Sequence, residues 1–328
     1  LHPYYFAKTV NVKIAYSLSN SKKMVKRALL IGSNYTAIPS AKLFGCINDI
    51  INMRNTLIDA YGYQDANIYM LRDDDTARMP TRANILSALS QLVALSTSSD
   101  ILWIHYSGHG TQIRDTNKDE MDGFDECIVP CNYNTAGIIT DDELYAIFKN
   151  AKCQLMICLD SCNSGTGCDL QYSMNYSNGA LIKSMNNSSR AIPNPNVIML
   201  SGCRDNQTSA DAYDTTSQKN VGAFTHTFLE TLREFDHNAQ ILQVYTTLCA
   251  KLKQYGFTQI PVLSSSVSLP GFQFTRVNAN NVSVTGFSTN TASVVKPKDF
   301  VLNGNNKLLV ASNPATKSIR GLMSQLIN

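Results

Sequence analysis

No apolar run in this chain approaches the ~18 residues needed to span a bilayer, and no signal-peptide pattern opens it. The chain starts at Leu1, not Met, which leaves room for a pro-segment or targeting signal ahead of it. Charge of one sign is equally scarce. The net charge is +3, and the basic residues are scattered apart from Lys22, Lys23, Lys26 and Arg27. That is too little for a nucleic-acid footprint, and the short cluster reads as a solvated segment before the first strand. Disulfide-like regularity is missing too: there are nine cysteines, an odd number without even spacing. Cys153, Cys158 and Cys249 sit inside apolar runs, where free thiols act as small hydrophobes. A reducing, intracellular and cytoplasmic compartment fits this usage. Cys127 and Cys131 have no second Cys/His pair with the spacing of a zinc site. No nucleotide-binding fingerprint and no internal repeat occurs.

What the chain does have is 328 residues, 44% of them hydrophobic, enough for one large domain or two small ones. Apolar, β-rich runs alternate with helical patterns. "ALLIGSNY" reads as a strand and "CINDIINMRNTLIDAYG" as a helix with a glycine stop. "ANIYML", "DILWIHYSGHG", "QLMICLDSC" and "NVIMLSGC" read as further strands, and "GFQFTRV" as a last one. Helices are expected at "TRANILSALSQLVALS", with Thr81 as N-cap, and at "TDDELYAIFKNA", capped by Thr140 or Asp141. "GAFTHTFLETLREF" and "ILQVYTTLCAKLKQYG" complete the set. The alternation predicts an α/β fold with a mostly parallel central β-sheet and helices on both faces. The organisation read from composition is a segment 1–24, a domain 25–277 containing a polar flexible loop 171–196, and an Asn/Ser-rich extension 278–328.

In such sheets ligands bind beyond the carboxyl ends of the strands. Two strands end there in "HYSGHG" and "DSCNSG". A thiol becomes a strong nucleophile as thiolate, and a nearby imidazole takes its proton. Cys162 and His109 stand at these strand ends, in glycine-rich turns that permit close approach of a substrate. Backbone N–H groups at Gly110 and Cys162 are candidate oxyanion donors. His105 and His109 also have an i,i+4 spacing, but they straddle a strand end and lack the helix and Glu of an HExxH metal site. His226 reads as a packed or surface histidine of an amphipathic helix, and Trp103 as core.

"HYSGHG" followed by "DSCNSG", with His before Cys by roughly 50 positions, resembles the caspase-like cysteine peptidases. The nearer resemblance is to the metacaspases of the type I kind, through "ALLIGSNY", "GCINDI", "DECIVP", "ITDDEL" and "SGCRDNQTSADA". It spans residues 25–274. It implies a caspase-like fold, a monomer, Cys162 as nucleophile, His109 as base and protein substrates cut after Arg or Lys. By the same resemblance Cys46, Asp49 and Ser107 join Asp160 in the pocket for the residue before the scissile bond. The chemistry agrees, because carboxylates in a cleft pair with a cation and repel an anion. Asp49 also suits a helix first turn, where the dipole favours an acid.

A second acid set comprises Asp125, Asp141, Asp142 and Asp169. Calcium takes several hard oxygen ligands, and clustered carboxylates supply them. Helix capping and solvation explain the same spacing equally well. Metacaspases resembling this chain are calcium-activated through acids at matching positions, so Ca2+ is the expected cofactor. Lys183 and Arg190, in the 171–196 stretch, are the candidate self-cleavage positions. One departure from the family is Asn163, where His usually follows the nucleophile. It leaves open a second reading, a weakly active or inactive regulatory or interaction module. A third, a redox-sensing thiol protein, would use Cys162 with Cys158 or Cys168.

Overall fold

A computed structural model describes residues 24–116, 123–162, 168, 170–177, 179–185, 191–203, 211–214, 217–277 and 309–310. The segment 1–24 except Met24, the extension 278–328 except 309–310, and Asn163, Asp169 and Arg190 therefore lie outside the described residues.

Three apolar runs build the middle of the sheet in chain order. β1 (Lys26–Gly32) and β2 (Ile68–Arg72) flank the helix α1 (Cys46–Asp59). α2 (Arg82–Leu95) leads to β3 (Ile101–Ser107). Thr81 caps α2 as expected, its hydroxyl accepting the Asn84 N–H at 3.3 Å. A small antiparallel sheet follows: β4 (Gly110–Arg114), β5 (Phe124–Ile128) and β6 (Ile139–Thr140), with the short helix α3 (Tyr133–Ala136) before β6. α4 (Asp141–Phe148) starts with a capping box between Thr140 and Glu143, so Thr140, not Asp141, is the cap. β7 (Gln154–Asp160) then enters the main sheet.

The stretch 171–196 corrects the sequence reading of a loop. It contains a hairpin, β8 (Tyr172–Ser177) and β9 (Ala180–Met185), with Ser177 paired to Ala180. Serine and asparagine disguise the strands, but buried Ser173 and Met174 face the core region, and Asn-Gly is a strong short-range hairpin signal. β10 (Val197–Ser201) is followed by the ribbon β11 (Asp211–Asp214) and β12 (Lys219–Gly222). The helix α5 (Ala223–Glu234), the strand β13 (Ala239–Gln240) and the helix α6 (Ile241–Gln254) come next. β14 (Val262–Ser265) returns to the main sheet. Among the described residues β15 (Gln273–Phe274) pairs only with β13, and β16 (Leu309–Val310) only with β11.

The eight-stranded sheet has the order β2-β1-β3-β7-β10-β14-β8-β9. The first five strands run parallel and the last three antiparallel to their neighbours. Side chains alternate across it. Ala28, Leu30, Trp103 and Met156 pack against α1, α5 and α6, whereas Leu29, Ile31, Leu102, Ile104 and Leu155 pack against α2 and α4. This two-sided burial is why the central strands read as unbroken apolar runs. None of the nine cysteines forms a disulfide, and seven are buried. Among the described residues no helix is long and apolar enough to cross a membrane.

The hairpin is tied to the body through Tyr245 of α6. Its hydroxyl lies 2.8 Å from the Met174 carbonyl and 2.9 Å from the Pro261 carbonyl, and accepts the Tyr176 N–H at 3.0 Å. Tyr245→Phe strips all three groups of this partner in a buried setting. Urea unfolding should show a loss of about 1–3 kcal/mol, and an unchanged midpoint would show that the hairpin is held by other contacts.

Candidate active site

Register brings the strand ends level. Gly32 of β1 stands beside Ser107 of β3, and Ser107 beside Asp160 of β7. The ladder continues one residue further: Ser33 N–H donates to Ser107 O (3.0 Å) and Gly108 N–H to Asp160 O (3.2 Å). The chain segments carrying His109 and Cys162 thus leave the sheet side by side. At Gly110 their backbones touch. A Cβ there would sit 1.9 Å from the Cys162 carbonyl oxygen and 3.2 Å from its nitrogen. No side chain fits, so glycine is what permits the approach. The His109 carbonyl accepts the Val129 N–H at 3.1 Å. By the alternation of an antiparallel ladder, the Gly110 N–H therefore turns away from β5. Cys162 is half-buried.

His109 is buried and held at four points. Its N–H donates to the Tyr35 hydroxyl (2.9 Å), and its carbonyl also accepts the Tyr106 hydroxyl (2.7 Å). The Tyr35 ring lies 4.6 Å from the imidazole, centroid to centroid. Tyr35 itself has φ 51°, a left-handed backbone that a bulky residue adopts only under constraint. The fourth point fixes the tautomer. Nε2 is 2.7 Å from the Ala41 carbonyl, which only accepts, so the proton sits on Nε2 and Nδ1 carries the lone pair.

Asp49 and Asp160 are both buried. Ser107 Oγ donates to Asp49 Oδ2 (2.7 Å), and Gly222 N–H to Asp49 Oδ1 (2.8 Å). Asp160 Oδ2 accepts both the N–H (3.0 Å) and the hydroxyl (2.7 Å) of Thr225. Gly222 is the N-cap of α5 and has no side chain to cap with. Two acids from α1 and β7 take that part, where free N–H groups and the helix dipole favour negative charge. A Cβ on Gly222 would lie 2.2 Å from an Asp160 oxygen and 2.7 Å from an Asp49 oxygen. The carboxylates therefore converge on one bare point of backbone. Cys46 is the first residue of α1, about one turn before Asp49, with its N–H on Asn34 Oδ1 at 3.0 Å.

Sequence reasoning assigned no role to Tyr35, Tyr106, Gly222 or Thr225. The tyrosines lie inside the motifs "GSNY" and "HYSGHG" and were there to be weighed. Gly222 and Thr225 meet their acids from far along the chain and leave no local signal.

Of the second acid set, Asp125 on β5 and Asp141 opening α4 are buried, and Asp142 is half-buried. Asp141 accepts the N–H groups of Glu126 (2.9 Å) and Asp142 (2.8 Å). Burial pushes the Cys127 thiol well up, and the carboxylates of Asp141, Asp125 and Glu126 push it further. Among the described residues no group of three or more His, Cys, Asp or Glu is arranged to hold a metal ion. Lys183 is exposed on β9, opposite Met174 of β8.

Burial holds the fully enclosed His105 ring down to about 3. It holds His109 to about 4, against the opposing effect of the Ala41 bond. An unfolded histidine takes up its proton near pH ~6.5. Below that pH the unfolded chain binds protons that the folded chain refuses, so stability falls as pH falls toward about 4. Each ring should add about 1.4 kcal/mol per pH unit to that slope. Urea unfolding of the protein and of His105→Gln, between about pH 6 and about pH 5, should show one such increment missing in the variant. Equal slopes would mean that His105 is protonated in the folded protein.

Comparison with known proteins follows the same lines. Residues 26–171 match the family model "Metacaspase, peptidase C14 domain". Metacaspase-1 of Cryptococcus neoformans var. neoformans serotype D is 35% identical over 74% of this chain, which spans 62% of that protein. Metacaspase-1 of Mycosarcoma maydis is 35% identical over 78% of this chain and 73% of its own length. Metacaspase-1 of Kluyveromyces lactis is 36% identical over 78% and 69%. A solved structure from Geobacter sulfurreducens aligns at 22% identity and a TM-score of 0.47, covering 69% of this chain and 89% of that one. With this much identity along most of both sequences, the chain belongs to the metacaspase family.

Proposed function

We propose that this chain is a cysteine endopeptidase that cleaves after Arg or Lys and is stimulated by calcium. The observation that carries the catalytic part is the His109 ring, pinned by its Nε2–H on the Ala41 carbonyl with Nδ1 left basic, beside the backbone contact of Gly110 and Cys162. Because burial holds the ring near 4, it is neutral at working pH and able to accept a proton. In the reaction Nδ1 takes the Cys162 thiol proton, and the sulfur attacks the scissile carbonyl carbon. The N–H groups of Gly110 and Cys162 receive the oxyanion. His109 returns the proton to the leaving amine, then deprotonates the water that cleaves the thioester. Asp49 and Asp160 give the pocket two fixed negative charges, which favour a guanidinium or ammonium and repel a substrate carboxylate.

Calcium would be held by the oxygens of Asp125, Asp141, Asp142 and Asp169, a donor set of the kind it prefers. Asp141, buried like Asp125, accepts the N–H of the next residue, Glu126, and this supports the reading, since a bound cation would offset like charges kept together out of water. Self-cleavage at Lys183 requires β9 to leave β8 first, because that residue lies in a paired strand. Arg190 is the second candidate. Protein or peptide substrates and a monomeric state complete the proposal.

Hydrolysis of peptides with Arg, Lys or Asp before the scissile bond tests it. Cleavage after Arg or Lys, lost in Cys162→Ala, is the expected result. Cleavage after Asp would overturn the role of the two acids, and no cleavage at all would favour an interaction module.

Calcium is tested separately. It should raise both activity and Tm relative to chelator. Asp142→Asn should need roughly tenfold more calcium for the same shift, having lost one ligand charge. A Tm indifferent to calcium would remove the metal from the proposal.

A further inference from the structure

We infer that Thr225 and His105 are positioning residues for the specificity pocket, acting through a single hydrogen-bonded line that runs from β3 through α5 to the carboxylate of Asp160. This deepens the preference for basic residues proposed above and rests on it. Thr225 Oγ1 lies 2.7 Å from Asp160 Oδ2 and 3.3 Å from His105 Nε2. A carboxylate only accepts, so the hydroxyl proton points at Asp160. The hydroxyl oxygen then accepts from the ring, so the His105 proton is on Nε2.

Among the described residues, the other ring nitrogen, Nδ1, is buried without a hydrogen-bond partner. A second proton there would leave a bare charged donor in the interior, which is costly, so the ring stays neutral and the line has one direction. Neither neighbour can reverse it.

Simple capping of α5 accounts for only one of these bonds. A carboxylate serving as a remote N-cap needs only the Thr225 N–H. The added hydroxyl binds the same oxygen, Oδ2, and so fixes the plane of the carboxylate as well as its charge. That matters because Asp49 approaches the same point of backbone at Gly222, and two neighbouring acids raise each other's proton affinity. Donors aimed at Asp160 oppose this and keep it an anion that meets a cationic side chain.

The test uses paired peptides with Arg or citrulline before the scissile bond. Citrulline keeps the shape of Arg but has no charge. Thr225→Val removes the hydroxyl and keeps the shape and the N–H bond. KM for the Arg peptide should rise roughly tenfold with kcat little changed. The citrulline peptide should be unaffected, so the Arg-to-citrulline ratio of kcat/KM falls by the same factor. Thr225→Ser, which keeps the hydroxyl, should restore the ratio. If the valine protein does not fold, Thr225→Ala removes the same hydroxyl and reads the same ratio.

An unchanged ratio in a folded hydroxyl-free variant would overturn the inference. So would equal losses on both peptides, or a serine variant as poor as the valine one. A wild-type protein with no preference for Arg over citrulline would instead remove the proposed specificity itself, and this inference with it.

Discussion

Two buried carboxylates end on the N-terminus of one helix, and much of the molecule is arranged to keep them there. Burying an acid is costly unless its oxygens are bonded. Asp49 draws its donors from β3 and from the N-cap of α5, and Asp160 draws its own from the first turn of α5. Each bond joins elements far apart in the chain, so α1, β3, β7 and α5 are tied together at the edge where the strands end. Helix α5 has no cap of its own, because Gly222 must be bare to admit both acids. Its N-terminus and the acid pair are therefore each incomplete without the other.

The histidine and thiol side of the site is built differently. There the contacts are mostly backbone, and side chains act as struts. Tyr35 and Tyr106 bridge to the His109 and Val129 main chain, and their hydroxyls lie 3.2 Å apart. The left-handed turn at Tyr35 places its ring against the imidazole. The strain of that turn is offset by bonds that a relaxed backbone would not make. The site thus combines an electrostatic half, fixed by helix and strand donors, with a steric half, fixed by glycine and tyrosine.

The central strands were legible because burial on both faces leaves long apolar runs in β1, β3, β7 and β10. The helices announced themselves through caps such as Thr81 and Thr140. The hairpin β8–β9 was hidden because its outward positions carry Ser, Asn and Lys, which read as loop, while β9 buries almost nothing. β4 and β5 leave no apolar pattern either, because "GTQIR" and "FDECI" interleave polar and charged residues, and Asp125 and Glu126 are charged yet buried. At the candidate site, His109, Cys162 and Asp160 are named from their chemistry and Asp49 from the family resemblance. What sequence could not supply was pairing. That Thr225 meets Asp160, or that Gly222 lies between two acids, depends on long-range closure of the sheet and helices.

The burial of the cysteines has a chemical corollary. Seven of the nine thiols are enclosed in the folded protein. Burial pushes Cys158 well up, and Cys131, one of the two less buried, up to about 11. Thiolates are the reactive form, so these groups are nearly silent toward alkylating reagents at neutral pH. Cys162 is the other half-buried thiol, on a segment whose backbone meets Gly110, the residue after His109. Toward a thiol reagent the folded molecule thus offers at most two half-buried thiols, and on unfolding all nine. The chain carries its own gauge of foldedness, read by counting how many thiols react.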